Sequence, residues 1–201
     1  RAPLRRQHAA LLRRQRRELD ALRNRFPEIA ILHGAEVDIL PDGRLDFEDD
    51  VLAELDIVLA SLHDAAGHDG GRLTERYLTA IRHPLVTIVT HPTNREIGRR
   101  CGYALDFPAL FAAAAETGTA IEVDGAPVHL DMDGVLVRQA VGAGVTVTID
   151  SDAHGASRLD PHMQFGIGTA RRGWVEARHV LNTRPLADVR AFVDRKRRRQ
   201  Y

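Results

Sequence analysis

The chain has 201 residues, of which 44% are hydrophobic and 28% are charged, and its formal net charge is zero. This length and composition are typical of one globular domain with a real core, and they exclude collagen-like, fibrous and disordered chains. A single cysteine, Cys101, excludes an internal disulfide framework, and no apolar run is long enough to span a membrane, so we expect a cytoplasmic protein.

The charge is distributed unevenly along the chain. Residues 1–25 and 190–201 are strongly basic, and the residues between them are acidic. Basic ends are typical of segments that contact nucleic acid or another polyanion, although amphipathic helices with solvated basic faces would carry the same charges. Both interpretations remain open at this point.

Hydrophobic periodicity predicts an ordered series of helices and strands. Leucines recur at helical spacing in residues 1–25, and Pro27 ends that helix. Apolar runs predict strands at 29–32, 36–40, 57–62, 85–90, 119–123 and 145–150. Further helices are predicted at 47–55, 72–82, 107–117, 132–142, 175–181 and 186–198. Asp106 and Thr183 are the predicted N-caps of two of them.

This alternation predicts an α/β protein with a parallel sheet. We expect a basic N-terminal helix at 1–25, an α/β body at 26–184, and a basic C-terminal helix and tail at 185–201. Because Arg1 opens directly into a helical pattern, we expect the chain to be part of a longer folded protein.

Histidines and carboxylates follow the C-terminal ends of the predicted strands. They are His63, His91, Glu122, Asp124, Asp152 and His154. In parallel sheets these ends share one mouth, so side chains distant in sequence converge there. Glu36 enters a buried strand, where an unpaired carboxylate is costly unless a cation accompanies it. The predicted metal ligands are therefore Glu36, His63, His91, Asp152 and His154.

Three imidazoles and two carboxylates without a thiolate suit manganese, zinc or iron(II). Two ions held in this way would support phosphoester hydrolysis by metal-activated water. A lone histidine that closes a strand is more often a hydrogen-bonded interior residue than a ligand. The Asp152-Ala153-His154 segment favours a metal because two ligand types lie two residues apart after a buried strand.

Other polar residues are candidates for substrate contacts. Arg95 is the best candidate to hold a phosphate, because a guanidinium matches phosphate oxygens in pairs. Arg171 and Arg172 are further candidates, for which structural salt bridges are an equal alternative. His33, beside Glu36, could add a ligand or cap its strand, and we favour the cap. Weaker expectations are that His68 and His129 touch substrate. Asp64 could orient His63 or a substrate group, and an exposed loop carboxylate without such a role is an equal alternative.

Five segments together resemble a known family. They are Gly34–Gly43 (Gly-Ala-Glu-Val-Asp-Ile-Leu-Pro-Asp-Gly), Ala60–His63, Thr90–Thr93, Ser151–His154 and Thr169–Trp174. They are similar to the polymerase and histidinol phosphatase (PHP) domain, in the version found at the C-terminus of bacterial family X DNA polymerases. The resemblance implies a distorted seven-stranded β/α barrel. The family's opening His-x-His and Asp-His motifs do not occur in this sequence, so we expect the first two strands to be missing.

The resemblance also implies a cofactor, an activity and partners. It implies two to three divalent ions, Mn²⁺ or Zn²⁺, with Glu36 as the bridging carboxylate, His63 and His91 on the second ion, Asp152 on the first and His154 on the third. The implied activity is 3′-5′ exonuclease in DNA repair, with DNA and an upstream polymerase domain as partners. Residues 123–127 stand where relatives show an Asn-x-Asn-Pro pattern.

Two other functions remain open from the sequence. A stand-alone phosphatase of the histidinol-phosphate type would use the same ligands on small esters. A PHP remnant without the opening motifs would serve as an inactive structural or DNA-docking module.

Overall fold

The computed structural model describes residues 2–198, with side chains from residue 8 onward. Within this range strands and helices alternate along the chain. The strands β1–β5 are Gly34–Asp38, Ile57–Ser61, Ile88–Val89, Ala120–Asp124 and Val147–Asp150. The helices α1–α7 are Ala2–Arg25, Asp49–Ala53, Gly70–Arg82, Phe107–Thr117, Gly134–Gly142, Leu159–Arg172 and Leu186–Arg198. Short 3₁₀ turns lie at Ala156–Arg158, Ala177–His179 and Leu181–Thr183.

The five strands form one parallel sheet in the sequential order β1-β2-β3-β4-β5. Each strand lies beside the next one along the chain, as the strands of a β/α barrel do. The predicted α/β class is therefore confirmed, and the sheet is compatible with a TIM-like barrel. Closure with seven strands stays a prediction, since residues 2–198 form five.

One face of the sheet is apolar along its whole length. Strand residues alternate between the two faces, and the parallel register aligns the same set across all five strands. The aligned apolar side chains are Ala35, Val37, Val58, Ala60, Val89, Ile121, Val123, Val147 and Ile149. They share one hydrophobic core with residues of α3, α4, α5 and α6, and this core fixes the sheet against its helices.

The opposite face changes character along the strands. Near the amino ends, Ile88 and Ala120 pack with Leu181 and Phe192, so α7 closes this side. The Lys196 ammonium of α7 is buried and donates to the Ile81 carbonyl at 2.7 Å. Nearer the carboxyl ends the same face carries acidic side chains, as described below. The sheet therefore has a packed end and a polar end.

Aspartates cap three of the helices at their N-termini. The carboxylates of Asp69, Asp106 and Asp133 accept backbone N–H bonds at the starts of α3, α4 and α5. The predicted cap at Asp106 is thus confirmed. The predicted cap at Thr183 is wrong, because its hydroxyl donates to the Ala177 and Val180 carbonyls and α7 begins only at Leu186.

Three predicted elements differ from the structure. Residues 29–32 are not a strand; Ile29 is 58% exposed, and the Ile31 carbonyl accepts from the Arg23 guanidinium at 2.8 Å. The first strand spans 34–38 rather than 36–40. The helix predicted at 175–181 is replaced by two 3₁₀ turns. Helix α6, which packs against β4 and β5, was not predicted from the sequence.

The basic ends contact the body of the domain. In α1, Arg13 pairs with Glu54 and Arg23 pairs with Asp56, both at 2.7 Å. In α7, the Arg197 guanidinium donates to the Leu55 carbonyl at 2.6 Å. Part of the basic charge is therefore structural, whereas the tail residues 199–201 lie outside the described residues. Among residues 2–198, no helix has the length and apolar character that crossing a membrane requires.

Candidate metal centre

Glu36 lies at the centre of a group of three potential ligands. Its Oε1 atom lies 3.0 Å from His91 Nε2 and 3.4 Å from His63 Nε2. Strand β1 supplies Glu36, and the residues that directly follow β2 and β3 bring the two histidines to the same end of the sheet. One ligand atom from each of the three lies within 4.8 Å of the others.

Asp38 orients the first histidine. His63 Nδ1 lies 2.7 Å from Asp38 Oδ1, and because an ionised carboxylate only accepts, the imidazole donates there. This bond leaves His63 Nε2 facing Glu36. Asp38 is not among the residues predicted for the site. The available signal was its position two residues after Glu36, which puts both side chains on one face of the strand.

The second histidine is held by its backbone. The His91 amide donates to Glu122 Oε2 at 2.6 Å, and the buried ring directs Nε2 towards Glu36. His91 has a φ of 24°, a left-handed conformation that a residue with a Cβ rarely adopts. The Nδ1 atom of the same ring is buried and has no partner among the described residues. Glu122 is therefore a further residue of the site, beyond the five predicted ligands.

The ion pairs set the protonation of this group. Burial raises the pKa of Glu36, but the hydrogen bond from His91, the charge of His91 and contacts with Ser61 and His63 outweigh it and bring that pKa to about 2. Burial lowers the pKa of His91, whereas its bond to Glu36 raises it, and the net direction is upward. Glu36 is therefore a carboxylate throughout the physiological range.

A second group of potential ligands lies beside the first. Asp124, His129 and Asp152 each offer a ligand atom, and these atoms lie within 4.8 Å of one another. The rings of His91 and His129 stack with their centroids 6.0 Å apart, which joins the two groups. The five predicted ligands are thus divided. Glu36, His63 and His91 are in the first group and Asp152 is in the second.

His154 belongs to neither group in the described residues. Its side chain is 77% exposed, and its Nδ1 donates to the Asp152 backbone carbonyl at 3.0 Å. His33 lies at the opposite end of β1, where its ring contacts Gln15 at 3.2 Å. Its backbone carbonyl accepts from the Asp56 and Ile57 amides, but His33 precedes β1 and closes no strand, since residues 29–32 are not one.

Buried acids surround the second group. Burial raises the pKa of Asp124 to about 7; a bond from the Ala126 amide opposes this rise, and the charges of Asp152 and Asp150 add to it. Burial also raises the pKa of Asp150 to about 6 and raises that of Glu122 well above its usual range. Burying several carboxylates together at the polar end of the sheet is costly unless a nearby positive charge compensates them.

The predicted phosphate-binding arginines lie in two settings. The guanidinium of Arg95 donates to the His129 carbonyl at 2.7 Å and also to the Leu130 carbonyl. These hydrogen bonds from Arg95 hold the loop that carries His129 in place. Arg171 and Arg172 are exposed at the end of α6. Arg172 lines a cavity of about 520 Å³ together with Arg95.

Two further candidates, Asp64 and His68, lie outside both groups of potential ligands among the described residues. The exposed Asp64 carboxylate accepts from the Ala66 amide at 2.7 Å within its own loop. His68 contributes to neither group within the described residues.

An exposed tryptophan adjoins this cavity. Trp174 follows α6 and is 73% exposed, and the guanidinium of Arg138 lies 4.6 Å from the centre of its ring. Arg138 also lines the cavity with Arg172. The cavity is therefore lined by three arginines and one aspartate, Asp133, and lies beside an exposed aromatic ring.

The donors fit divalent ions. The two groups offer imidazole nitrogens and carboxylate oxygens, the ligands that manganese and zinc accept. Two potential ligand atoms, His91 Nδ1 and Asp124 Oδ2, are buried without a partner among the described residues. The parallel sheet and these two groups define a candidate metal-dependent hydrolase.

Comparison with known proteins supports this class. No family model matches the chain. It is 45% identical over 187 residues to the DNA polymerase/3′-5′ exonuclease PolX of Bacillus subtilis, a match that covers 93% of this chain and 33% of PolX. It is 28% identical to a probable phosphatase of Thermoanaerobacter sp., over 90% of this chain and 75% of that protein. It is 34% identical to a probable phosphatase of Shewanella sp., over 65% of this chain and 53% of that protein.

These relatives confirm the predicted resemblance. The chain is related to PolX over almost its whole length and to probable phosphatases over much of theirs, as expected for a PHP domain. It spans about a third of the length of PolX.

Proposed function

We propose that the chain is a metal-dependent phosphoesterase that hydrolyses DNA from the 3′ end and acts as part of a family X DNA polymerase in DNA repair. The observation that carries this proposal is the position of Glu36 between the Nε2 atoms of His63 and His91, at 3.4 and 3.0 Å. Its PolX relative is named as both a polymerase and a 3′-5′ exonuclease.

The proposed ligands are Glu36, His63, His91, Asp152 and His154, with Mn²⁺ or Zn²⁺ as the ion. A bound divalent ion would supply a water of lowered pKa and would neutralise charge on the phosphate. Because the pKa of Glu36 is about 2, its carboxylate is ready to bind without first losing a proton. Asp38 holds His63 through Nδ1, which leaves Nε2 for the ion.

The residues around the ligands maintain their positions. Glu122 accepts the His91 amide and so holds the backbone in the conformation that presents the ring. Thr90 donates to Glu36 Oε1 at 3.3 Å and limits the rotation of that carboxylate. No serine or cysteine nucleophile is needed, because water is the attacking group.

The exposed surface favours a nucleic acid as substrate. Trp174 offers an exposed ring for a base, and Arg138 and Arg172 offer guanidinium groups for phosphates at the adjoining cavity. Arg95 links this cavity to the His129 loop beside the ligands. A small phosphate ester would gain nothing from this extended surface, whereas a single strand would.

The test is an assay of the purified chain with Mn²⁺ on two substrates. One is single-stranded DNA labelled at its 5′ end, and the other is histidinol phosphate. Stepwise shortening of the DNA, abolished by chelation of the metal and absent in His91→Ala, is the expected result. Hydrolysis of histidinol phosphate alone would favour the small-molecule phosphatase. Activity on neither substrate, with this chain or with one extended upstream, would favour the docking module.

A further inference from the structure

Arg76 is a buried cation that has no part in the proposed hydrolysis. It lies in α3 and is 1% exposed. Its guanidinium donates three hydrogen bonds, all to backbone carbonyl oxygens, and among the described residues it forms no ion pair with a carboxylate. Burial lowers the pKa of Arg76, because a cation is less stable away from water. An apolar side chain of similar size would avoid this cost, so filling the core alone does not account for an arginine here.

The three carbonyls belong to two loops that follow neighbouring strands. Nε of Arg76 donates to the Leu40 carbonyl at 2.9 Å, and Nη2 donates to the Ile39 carbonyl, both directly after β1. Nη1 donates to the Asp64 carbonyl at 2.8 Å, three residues after the end of β2. The donors of a planar guanidinium point in fixed directions, so one side chain joins the loop after β1 to the loop after β2.

The same two segments carry the residues that orient His63. Asp38 immediately precedes Ile39, and His63 immediately precedes Asp64. His63 Nδ1 lies 2.7 Å from Asp38 Oδ1, although the two side chains are 54% and 53% exposed. Packing around the ring therefore does not fix its position. A shift of one loop against the other would break this contact, because the two residues lie on different strands' ends.

We propose that Arg76 is a positioning residue, whose guanidinium joins the loops after β1 and β2 and thereby keeps His63 bonded to Asp38. This bond places the proton of the neutral imidazole on Nδ1 and leaves Nε2 facing Glu36. The inference rests on the proposed function for its purpose, because His63 is a proposed ligand. The orientation of the ring is measurable without metal or substrate. A chain that passes this test but does not cleave DNA would reject the proposed function alone.

The experiment reads the protonated nitrogen of His63 from two-bond proton–nitrogen correlation spectra of the isotope-labelled, metal-free chain. Spectra are recorded at about pH 9, where an ordinary imidazole is neutral. His63→Gln removes one set of ring signals and so assigns it. In the wild type we expect a single form with the proton on Nδ1. In Arg76→Met we expect that single form to be lost and the form with the proton on Nε2 to become populated.

Lys196→Met is the matched control. Lys196 is also a cation that is 1% exposed and donates to a backbone carbonyl, that of Ile81, but it lies in α7 at the packed end of the sheet. We expect Lys196→Met to lower the free energy of unfolding in urea and to leave the His63 spectrum unchanged. The same change of the His63 spectrum in Lys196→Met as in Arg76→Met would show a general loosening of the domain and would overturn the inference.

Arg76→Lys keeps the test decisive if Arg76→Met does not fold. The ammonium retains the charge but lacks the planar fork of donors that meets the carbonyls of both loops. We therefore expect the form with the proton on Nε2 in this variant as well. A single Nδ1-protonated form in the folded Arg76 variants, or its absence from the wild type, would overturn the inference. Circular dichroism verifies that each variant is folded.

Discussion

Glu36 and Asp124 are carboxylates on the same face of the sheet, yet their pKa values move in opposite directions. Glu36 is buried beside histidines that favour its charged form, and its pKa is about 2. Asp124 is buried beside other acids, and its pKa is about 7. Burial raises the pKa in both cases, so the sign of each net shift depends on the neighbours.

The raised values predict how the stability of the metal-free chain responds to pH. The stabilisation linked to Asp124 is fully present below its ordinary pKa of 3.8 and is lost as the pH rises through about 7. Asp150, with a pKa of about 6, acts in the same direction. We expect the free energy of unfolding in urea to fall between about pH 5 and about pH 8.

Asp124→Asn should flatten this dependence, because the neutral amide has no proton to lose. Added Mn²⁺ should raise stability most at the upper end of the pH range, where the carboxylates are ionised. An unfolding free energy of the metal-free wild type that rises towards about pH 8 would contradict the prediction.

Replacing His91 should abolish activity without unfolding the chain. His91→Ala removes a proposed ligand, and we expect the rate of Mn²⁺-dependent DNA hydrolysis to fall by at least about 100-fold. Asp152→Asn should behave similarly. His83→Ala is the matched control, because His83 follows α3 before the start of β3 and contacts Asp49 instead. Full activity in folded His91→Ala would remove His91 from the proposed site.

At the scale of elements, a glycine of α6 lies in close contact with β5. A Cβ on Gly166 would lie 2.9 Å from Ile149 Cγ2 and 3.2 Å from the Asp150 carbonyl oxygen, so the helix could not remain as close to β5. Gly168, on the same helix, has open space at the corresponding position. The two glycines therefore allow a matched comparison.

We expect Gly166→Ala to destabilise the chain by about 1–3 kcal/mol through overpacking. Gly168→Ala should stabilise it by up to about 1 kcal/mol, since alanine favours a helix over glycine. Urea denaturation measures both changes. Equal effects of the two substitutions would show that α6 does not pack on β5 as described.

The same helix shows where sequence reasoning fails. Residues 159–172 contain Pro161, Gly166 and Gly168, which are poor helix formers, so no helix was predicted there. Packing of α6 against β4 and β5 outweighs that local preference. Conversely, residues 29–32 have the apolar composition of a strand but no partner strand within the described sheet. Strand pairing is a tertiary property that a local pattern does not encode.

Part of the candidate site could also be predicted from the sequence, and part could not. His63 and His91 follow buried strands, so their convergence near Glu36 could be expected from the rule on parallel strand ends. The grouping of Asp152 with Asp124 and His129 could not, because it depends on the β4–β5 register and on the His129 loop. The contact between Asp38 and His63 likewise depends on the alignment of β1 with β2.

At the scale of the whole molecule, Trp174 is not one of the proposed metal ligands, so the proposed DNA contact can be tested apart from the proposed hydrolysis. Trp174→Ala should weaken binding of single-stranded DNA by about 1–3 kcal/mol, because stacking on one base is lost. Hydrolysis of a small phosphodiester such as bis(p-nitrophenyl) phosphate should be unchanged. Leu11→Ala, which also removes an exposed apolar side chain but on α1, is the control. Equal DNA affinity in wild type and Trp174→Ala would exclude this surface.

The alternation of side chains in β4 has a consequence for natural variation. Ile121 and Val123 pack in the core, whereas Glu122 and Asp124 face the candidate ligands. Mutations at the first pair would lower the amount of protein in a cell through loss of stability. Neutral replacements at the second pair would be expected to raise the amount and to lower the proposed activity. Selection for abundance and selection for activity therefore act on neighbouring codons, and an inactive descendant of this domain would become more stable as it lost its acids.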